Sequence, residues 1–229
     1  MGPHYLHRFF SPKSVAIVGA SERPDSVGYR LLLNMQEAGF DGGLYPVNNK
    51  RDSLLGLKAY PDLYHVPEEL DLVVIATPAP TVPGIVKQCG DKGVTSIIII
   101  TAGFGELGEE GQRLQQEVLA IAHRYGIRII GPNCLGLARP GSLLNATFGD
   151  GSIKDGHLAL LSQSGAVCTA ILDWAKAQDI GFSTVVSMGG AADIDFGEVL
   201  DYLATDSHTT GILMYATLPL CNQLRGGLI

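Results

Sequence analysis

Five runs of aliphatic residues without a polar residue at every second position set the tightest limit on how this chain folds. They are residues 14–19 (SVAIVG), 44–47 (LYPV), 71–77 (DLVVIAT), 96–101 (SIIIIT) and 128–131 (RIIG). A strand wet on one face alternates apolar and polar residues, whereas a strand covered on both faces does not. Helix candidates fall between the runs, at 27–38, at a short piece around 53–63, at 81–92 and at 109–125. Gly39 and Gly126 stand where two of these helices should end. Strand and helix alternate, so residues 1–136 are expected to form an α/β, doubly wound parallel sheet of the Rossmann-like kind.

The segment 137–156 (LARPGSLLNATFGDGSIKDG) interrupts this rhythm and is rich in Gly, Ser and Asn, which predicts a linker. The alternation restarts over 157–229 with a strand at 157–162, a helix at 165–178, a strand at 182–187, a helix at 196–205 and a strand at 211–215. Three strands make an incomplete unit with an open edge.

Composition fits this layout. Hydrophobic residues make up 46% of the chain, aromatics only 7%, and there are 29 glycines. The formal net charge of −7 argues against a nucleic-acid or anionic-membrane surface but leaves room for a local basic spot. Cys89, Cys134, Cys168 and Cys221 have neither CxxC pairing nor zinc spacing and are expected to be reduced thiols. No apolar run reaches transmembrane length and the N-terminus has no signal core, so a cytoplasmic protein is expected.

Ligands of doubly wound sheets bind beyond the carboxyl ends of the strands. Those ends are Gly19-Ala20-Ser21, Val47-Asn48-Asn49-Lys50, Thr77-Pro78-Ala79, Thr101-Ala102-Gly103 and Gly131-Pro132-Asn133-Cys134. All are small or polar, which lets a ligand approach the backbone. The first precedes a helix whose N-terminal N–H groups favour an anion, although Ser21 stands where a GxGxxG fingerprint has its second glycine. The second carries no acid to hold ribose hydroxyls. Asn48, Asn49, Lys50 and Arg51 suit a phosphorylated ribose instead, as in NADP or coenzyme A. A third anion position is Ser162-Gln163-Ser164-Gly165, where Ser162 or Ser164 can cap the following helix. It is not GxSxG, and no His and Asp stand in a partner arrangement, so a nucleophilic serine is not expected.

The stretches SVAIVGAS, YPVNNK, TPAPT, ITAGFGE, IGPNCLG, LSQSGA and DYLATDSHTTGILMY, spread over residues 8–215, resemble the NDP-forming acyl-CoA synthetases. This family includes succinyl-CoA synthetase α subunits and ADP-forming acetate–CoA ligases. LLNATF, CTAILDWA and DFGEVLDYLA look most like the ligase-like half of protein lysine acetyltransferases, without their Gcn5-related domain. The resemblance implies a CoA-binding Rossmann-like domain followed by an incomplete flavodoxin-like succinyl-CoA synthetase domain. It implies that Gly19, Ala20, Ser21 and Glu22 touch the CoA phosphates and that Lys50 faces one of them. It likewise implies that Thr77, Pro78 and Ala79 belong to the same cofactor site, with Ile100, Thr101 and Ala102 along the pantetheine path. Asn133 and Cys134 would lie near the thiol end. Ser162, Gln163, Ser164 and Gly165 would stabilise a phosphohistidine or acyl phosphate.

Two departures follow. The family's phosphohistidine lies after a further strand and glycine-rich loop, and His208 in DSHTTG falls instead in the loop before the last strand. Thr217 holds the place of the acid that orients that histidine. The sequence is therefore expected to be a truncated or frame-shifted piece that binds CoA or acetyl-CoA. ATP or ADP and Mg would come only through a missing domain or a nucleotide-grasp partner, and self-association is the other expected contact. A stand-alone CoA-binding regulatory module and an NAD(P)-binding Rossmann protein are the alternative readings.

Overall fold

The structure, a computed structural model, describes residues 4–217. Its first half runs α1 (His7–Phe10), β1 (Ser14–Val18), α2 (Val27–Glu37), β2 (Gly43–Val47), β3 (Ser53–Leu54), β4 (Leu57–Lys58), β5 (Leu72–Ile75), α3 (Val82–Asp91), β6 (Ser96–Ile99), α4 (Glu109–Tyr125) and β7 (Arg128–Ile130). Five of these strands form a parallel sheet in the order β2-β1-β5-β6-β7. The order reverses beside β1, which opens the crevice where such sheets take ligands.

The missing alternation in the aliphatic runs has its cause here. Val15, Ile17, Leu72, Val74 and Ile98 face a core built with Leu31, Leu32 and Met35 of α2. Their neighbours Ala16, Val18, Val73, Ile75 and Ile97 face a second core built with Val82, Ile85 and Val86 of α3 and Val118 of α4. Both faces are dry, so both parities are apolar. Gly126, with φ 67°, closes α4 as expected.

The second half runs β8 (Gly136–Arg139), β9 (Leu144–Thr147), β10 (Asp155–Ser162), α5 (Gly165–Ala177), β11 (Phe182–Ser187), α6 (Phe196–Ala204) and β12 (Gly211–Tyr215). These strands form one sheet in the order β12-β10-β11-β8-β9, parallel across β12, β10 and β11 and antiparallel at β8 and β9.

Two expectations are corrected. Residues 53–63 are not a helix. Leu55 (φ 47°) and Gly56 (φ 80°) both take the left-handed conformation that a two-residue hairpin needs, and β3 and β4 pair across them. The segment 137–156 is not a linker along its length. Its small residues bury completely in β8 and β9, joined at Pro140-Gly141-Ser142, and β8 pairs with the edge of β11. The second sheet thus has five strands, and the open edge falls on β12. There Ile212, Leu213, Met214 and Tyr215 are each about two-fifths exposed.

The two sheets share a core. The cluster around α2 also takes in Leu137, Ala146, Leu161 and Val186 of the second sheet and Phe196, Val199 and Leu203 of α6. Asn34 of α2 is buried, and its Nδ2 donates to the carbonyls of Thr147 (2.7 Å) and Gly149 (2.8 Å). It satisfies the end of edge strand β9 from a helix of the other sheet. No helix among the described residues is long and apolar enough to cross a membrane.

Candidate functional site

The strand ends of the first sheet converge on one cleft of about 1490 Å3. Its floor needs glycine. Gly19 has φ 92°, and a Cβ there would lie 2.8 Å from the carbonyl oxygen of Ala76. A Cβ on Gly28, in the first turn of α2, would overlap the carbonyl oxygen of Gly19. The helix therefore sits directly on the β1 loop, and its free N-terminal N–H groups open into the cleft. Ser26 caps that helix, its Oγ accepting from Tyr29 N at 3.2 Å, and Ser21 Oγ accepts from Arg23 N at 3.1 Å.

Asn48 explains the absence of an acid at the end of β2. Its Nδ2 donates to Ala20 O at 2.8 Å and its Oδ1 accepts from Lys50 N at 2.8 Å. One neutral amide thus ties the first loop to the second and sets Lys50 on the wall. Arg23, Lys50 and Arg51 line the cleft, with Glu22 as the only carboxylate among the described residues. None of the three cations makes an ion pair among the described residues. Unpaired cations around a helix N-terminus provide the donor set that a di- or triphosphorylated ligand requires.

Further along, Thr77, Pro78, Ile100, Thr101 and Ala102 line the same cleft. Thr101 Oγ1 donates to Thr77 O at 2.7 Å, and Asn133 N donates to Thr101 O at 3.0 Å. This wall exposes backbone and small side chains, a surface for an uncharged extended ligand arm. Asn133 and Cys134 stand at its end. Burial pushes the Cys134 thiol up to about 12, and its Sγ lies 3.3 Å from Ile99 O. The thiol stays protonated at neutral pH and is no nucleophile. Cys89 and Cys168 are also free and buried; Cys221 lies outside the described residues.

The N-terminus of α5 meets the cleft from the second sheet through Gly165, Ala166 and Thr169. Ser164 is the cap, its Oγ accepting from Val167 N at 3.3 Å. On the other side of Asn133, a polar cleft of about 500 Å3 is lined by Gln163, Ser164, Gly165, Gly189 and Gly190. Gln163 Oε1 there accepts from Thr217 N (2.9 Å) and Thr217 Oγ1 (2.8 Å). One helix N-terminus thus serves two clefts.

Two of the expected residues sit elsewhere. Ala79 starts the 3-10 turn Ala79–Thr81 and packs toward Gly103 instead of lining the cleft. Ser162 is fully buried at the end of β10, where its Oγ donates to Ser164 O at 2.8 Å. It supports the capping loop from beneath. His208 lies in the loop between α6 and β12, as expected, with Nε2 3.1 Å from Asp155 Oδ1. No histidine among the described residues lines either cleft.

The sequence reading missed Arg23, Ser26, Gly28, Phe148 and Thr169 as lining residues. Ser26 directly before a helix is a capping signal, and Gly28 is the close-packing glycine of a βα turn. Phe148 and Thr169 carried no local signal, because tertiary packing alone brings them to the cleft.

The CoA binding domain family matches residues 13–140, and the family described as succinyl-CoA ligase like flavodoxin domain matches residues 155–217. The acetate–CoA ligase (ADP-forming) I subunit alpha of Pyrococcus furiosus is 44% identical over 92% of this chain and 46% of its own length. The 4-hydroxybutyrate–CoA ligase (ADP-forming) of Nitrosopumilus maritimus is 43% identical over 90% of this chain and 30% of its own. The dinucleotide-forming acetyl-coenzyme A synthetase 1 of Ca. Korarchaeum cryptofilum, solved with phosphate and ADP, superposes with a TM-score of 0.90 at 39% identity. It is covered over 46% of its chain, against 93% of this one. The sequence thus spans half or less of the length of these relatives. The first matched region takes in β8 of the second sheet and the second begins at β10, and the chain belongs to the CoA binding domain family, continued by a succinyl-CoA ligase-like flavodoxin domain.

Proposed function

We propose that the main cleft holds coenzyme A. Its pyrophosphate would lie on the N-terminus of α2 against the loop Gly19, Ala20, Ser21 and Glu22. Its ribose phosphate would meet Lys50, with Arg23 and Arg51 beside it. The pantetheine arm would follow Thr77, Pro78, Ile100, Thr101 and Ala102 toward Asn133 and Cys134. The observation that carries this is the pairing of a helix N-terminus with three cations that have no carboxylate partner, around a neutral Asn48 where an NAD site would place an acid. The polar cleft beside Gln163, Ser164 and Gly165 would hold the anionic end of the reaction, a phosphoryl group or acyl phosphate.

In this reading the chain is the CoA-handling part of an NDP-forming acyl-CoA ligase, as the P. furiosus α subunit suggests. A partner subunit or domain would bring ATP or ADP with Mg and the phosphate-carrying histidine. Among the described residues no histidine lines either cleft, which favours binding without turnover by these residues alone.

Calorimetry with CoA, dephospho-CoA and NAD tests the ligand. CoA is expected to bind most tightly, and Lys50→Glu should weaken CoA more than dephospho-CoA. A lost charge-assisted contact is worth about 1.5–3 kcal/mol, or roughly ten- to hundredfold. NAD binding tighter than CoA would overturn the assignment. Equal loss for CoA and dephospho-CoA would move Lys50 to the pyrophosphate.

Ser164→Ala should cost about 1 kcal/mol of stability through the lost cap and weaken inorganic phosphate only modestly, because backbone N–H groups remain. Mass spectrometry after incubation with acetyl-CoA should show no acyl-serine; an adduct at Ser164 would make it a nucleophile instead.

A further inference from the structure

A separate pocket of about 320 Å3 lies beside α5, a volume in the range of small-molecule sites. Its apolar lining comes from Ile153, Leu172, Ile180 and Phe182. It shares a wall with the main cleft. Thr169 lines both, and along the segment leaving β9 Phe148 lines the cleft while Thr147 and Gly149 line the pocket. On α5, Gly165, Ala166 and Thr169 border the cleft, and Thr169, Leu172 and Lys176 continue along the helix into the pocket. Positions three and four apart share a helix face, so one continuous stripe of α5 runs from the site proposed for the thiol end to an apolar chamber.

We infer that this pocket receives the apolar tail of an acyl group carried as a coenzyme A thioester. The inference rests on the CoA reading of the main cleft. In this arrangement a free thiol or an acetyl group would end near Asn133, and a chain of several carbons would follow α5 past Thr169, the residue common to both linings. Lys176 stands on the rim without an ion pair among the described residues. Three carboxylates, Asp150, Asp173 and Asp179, line the pocket against two lysines, and Lys154 Nζ is engaged by Asp179 at 2.6 Å, so the lining disfavours a tail that carries its own carboxylate. The chamber therefore suits uncharged alkyl or aryl tails.

Calorimetry with CoA, acetyl-CoA and hexanoyl-CoA on the full chain reads this directly. CoA and acetyl-CoA should bind alike, and hexanoyl-CoA about tenfold or more tightly, from the burial of its extra methylenes. Leu172→Asp should abolish that advantage and leave CoA affinity unchanged. Ser152→Trp fills the pocket from its exposed rim without touching the core and should do the same, which covers a folding failure of the first variant. If CoA binds but hexanoyl-CoA binds no better, or keeps its advantage in both variants, the pocket is not an acyl site. If CoA itself does not bind, the reading of the main cleft fails instead.

Discussion

Gly28→Val should weaken coenzyme A binding roughly a hundredfold. The new side chain would collide with the carbonyl of Gly19, and neither atom can yield, since one belongs to a helix and the other to a loop pinned between Val47 and Ala76. Helix α2 must lift from the β1 loop, which takes its N-terminal N–H groups out of reach of a bound phosphate. Losing two charge-assisted hydrogen bonds at about 1.5 kcal/mol each amounts to roughly a hundredfold in affinity. Overpacking of this kind also costs about 1–3 kcal/mol of stability. Binding is read by calorimetry and folding by denaturant titration. A variant that folds and binds CoA as the parent does would show that α2 plays no part in the site.

Arg139→Met should be the most destabilising single substitution away from the clefts. Arg139 of β8 and Asp206 beyond α6 pair at 2.8 Å, with side chains only 12% and 10% exposed. Removing the cation leaves a buried carboxylate unpaired, at a cost of about 3–5 kcal/mol, a large part of the ~5–15 kcal/mol typical of a folded protein. The pH dependence has a definite sign. Burial raises the Asp206 pKa, but hydrogen bonds from Arg139 and Thr209 outweigh it and hold the carboxyl below its ordinary value. A depressed carboxylate stabilises the fold above its unfolded pKa, and that stability disappears as pH falls through the folded value. The parent should therefore lose stability in acid. In the variant Asp206 no longer has its cation, so its deficit should be greatest at neutral pH and should shrink as pH falls and the carboxyl protonates. A deficit that is the same at pH 7 and on the acid side of the carboxylate range would assign the loss to packing alone.

Glu198 adds to the same acid sensitivity. Burial raises its pKa, and hydrogen bonds from Tyr5 and Arg128 lower it further than burial lifts it. Arg128 reaches Asp193 at 3.0 Å and Glu198 at 2.8 Å, joining the last strand of the first sheet to the approach to α6.

Much of the first sheet could be read from the chain, because burial on both faces writes itself directly into consecutive residues such as Ile97, Ile98 and Ile99. The helix ends at Gly126 and the cap at Ser164 were legible for the same reason: one residue's conformation decides each. The hairpin at Leu55-Gly56 was not. Its apolar spacing suits a helix, and only two positive φ angles separate the outcomes. The strands β8 and β9 were hidden by length. Four residues each, rich in Gly, Ala and Asn, they bury because α2 and β11 cover them, not because their sequence is strongly apolar. The cleft residues at strand ends followed from topology. Ala79 and Ser162 do not line the clefts, because a loop's sequence does not say which of its residues turn inward.

The bond from Asn34 to the end of β9 has a consequence for modularity. Sequence families divide this chain near residue 140, yet that cut would separate β8 from β9, two partners of one antiparallel hairpin, and strip α2 of the strand end it satisfies. An excised first half would carry a bare β8 and an orphaned amide in the middle of the same helix whose first turn faces the cleft. The boundary between the two matched families is thus not a boundary between separately packed units.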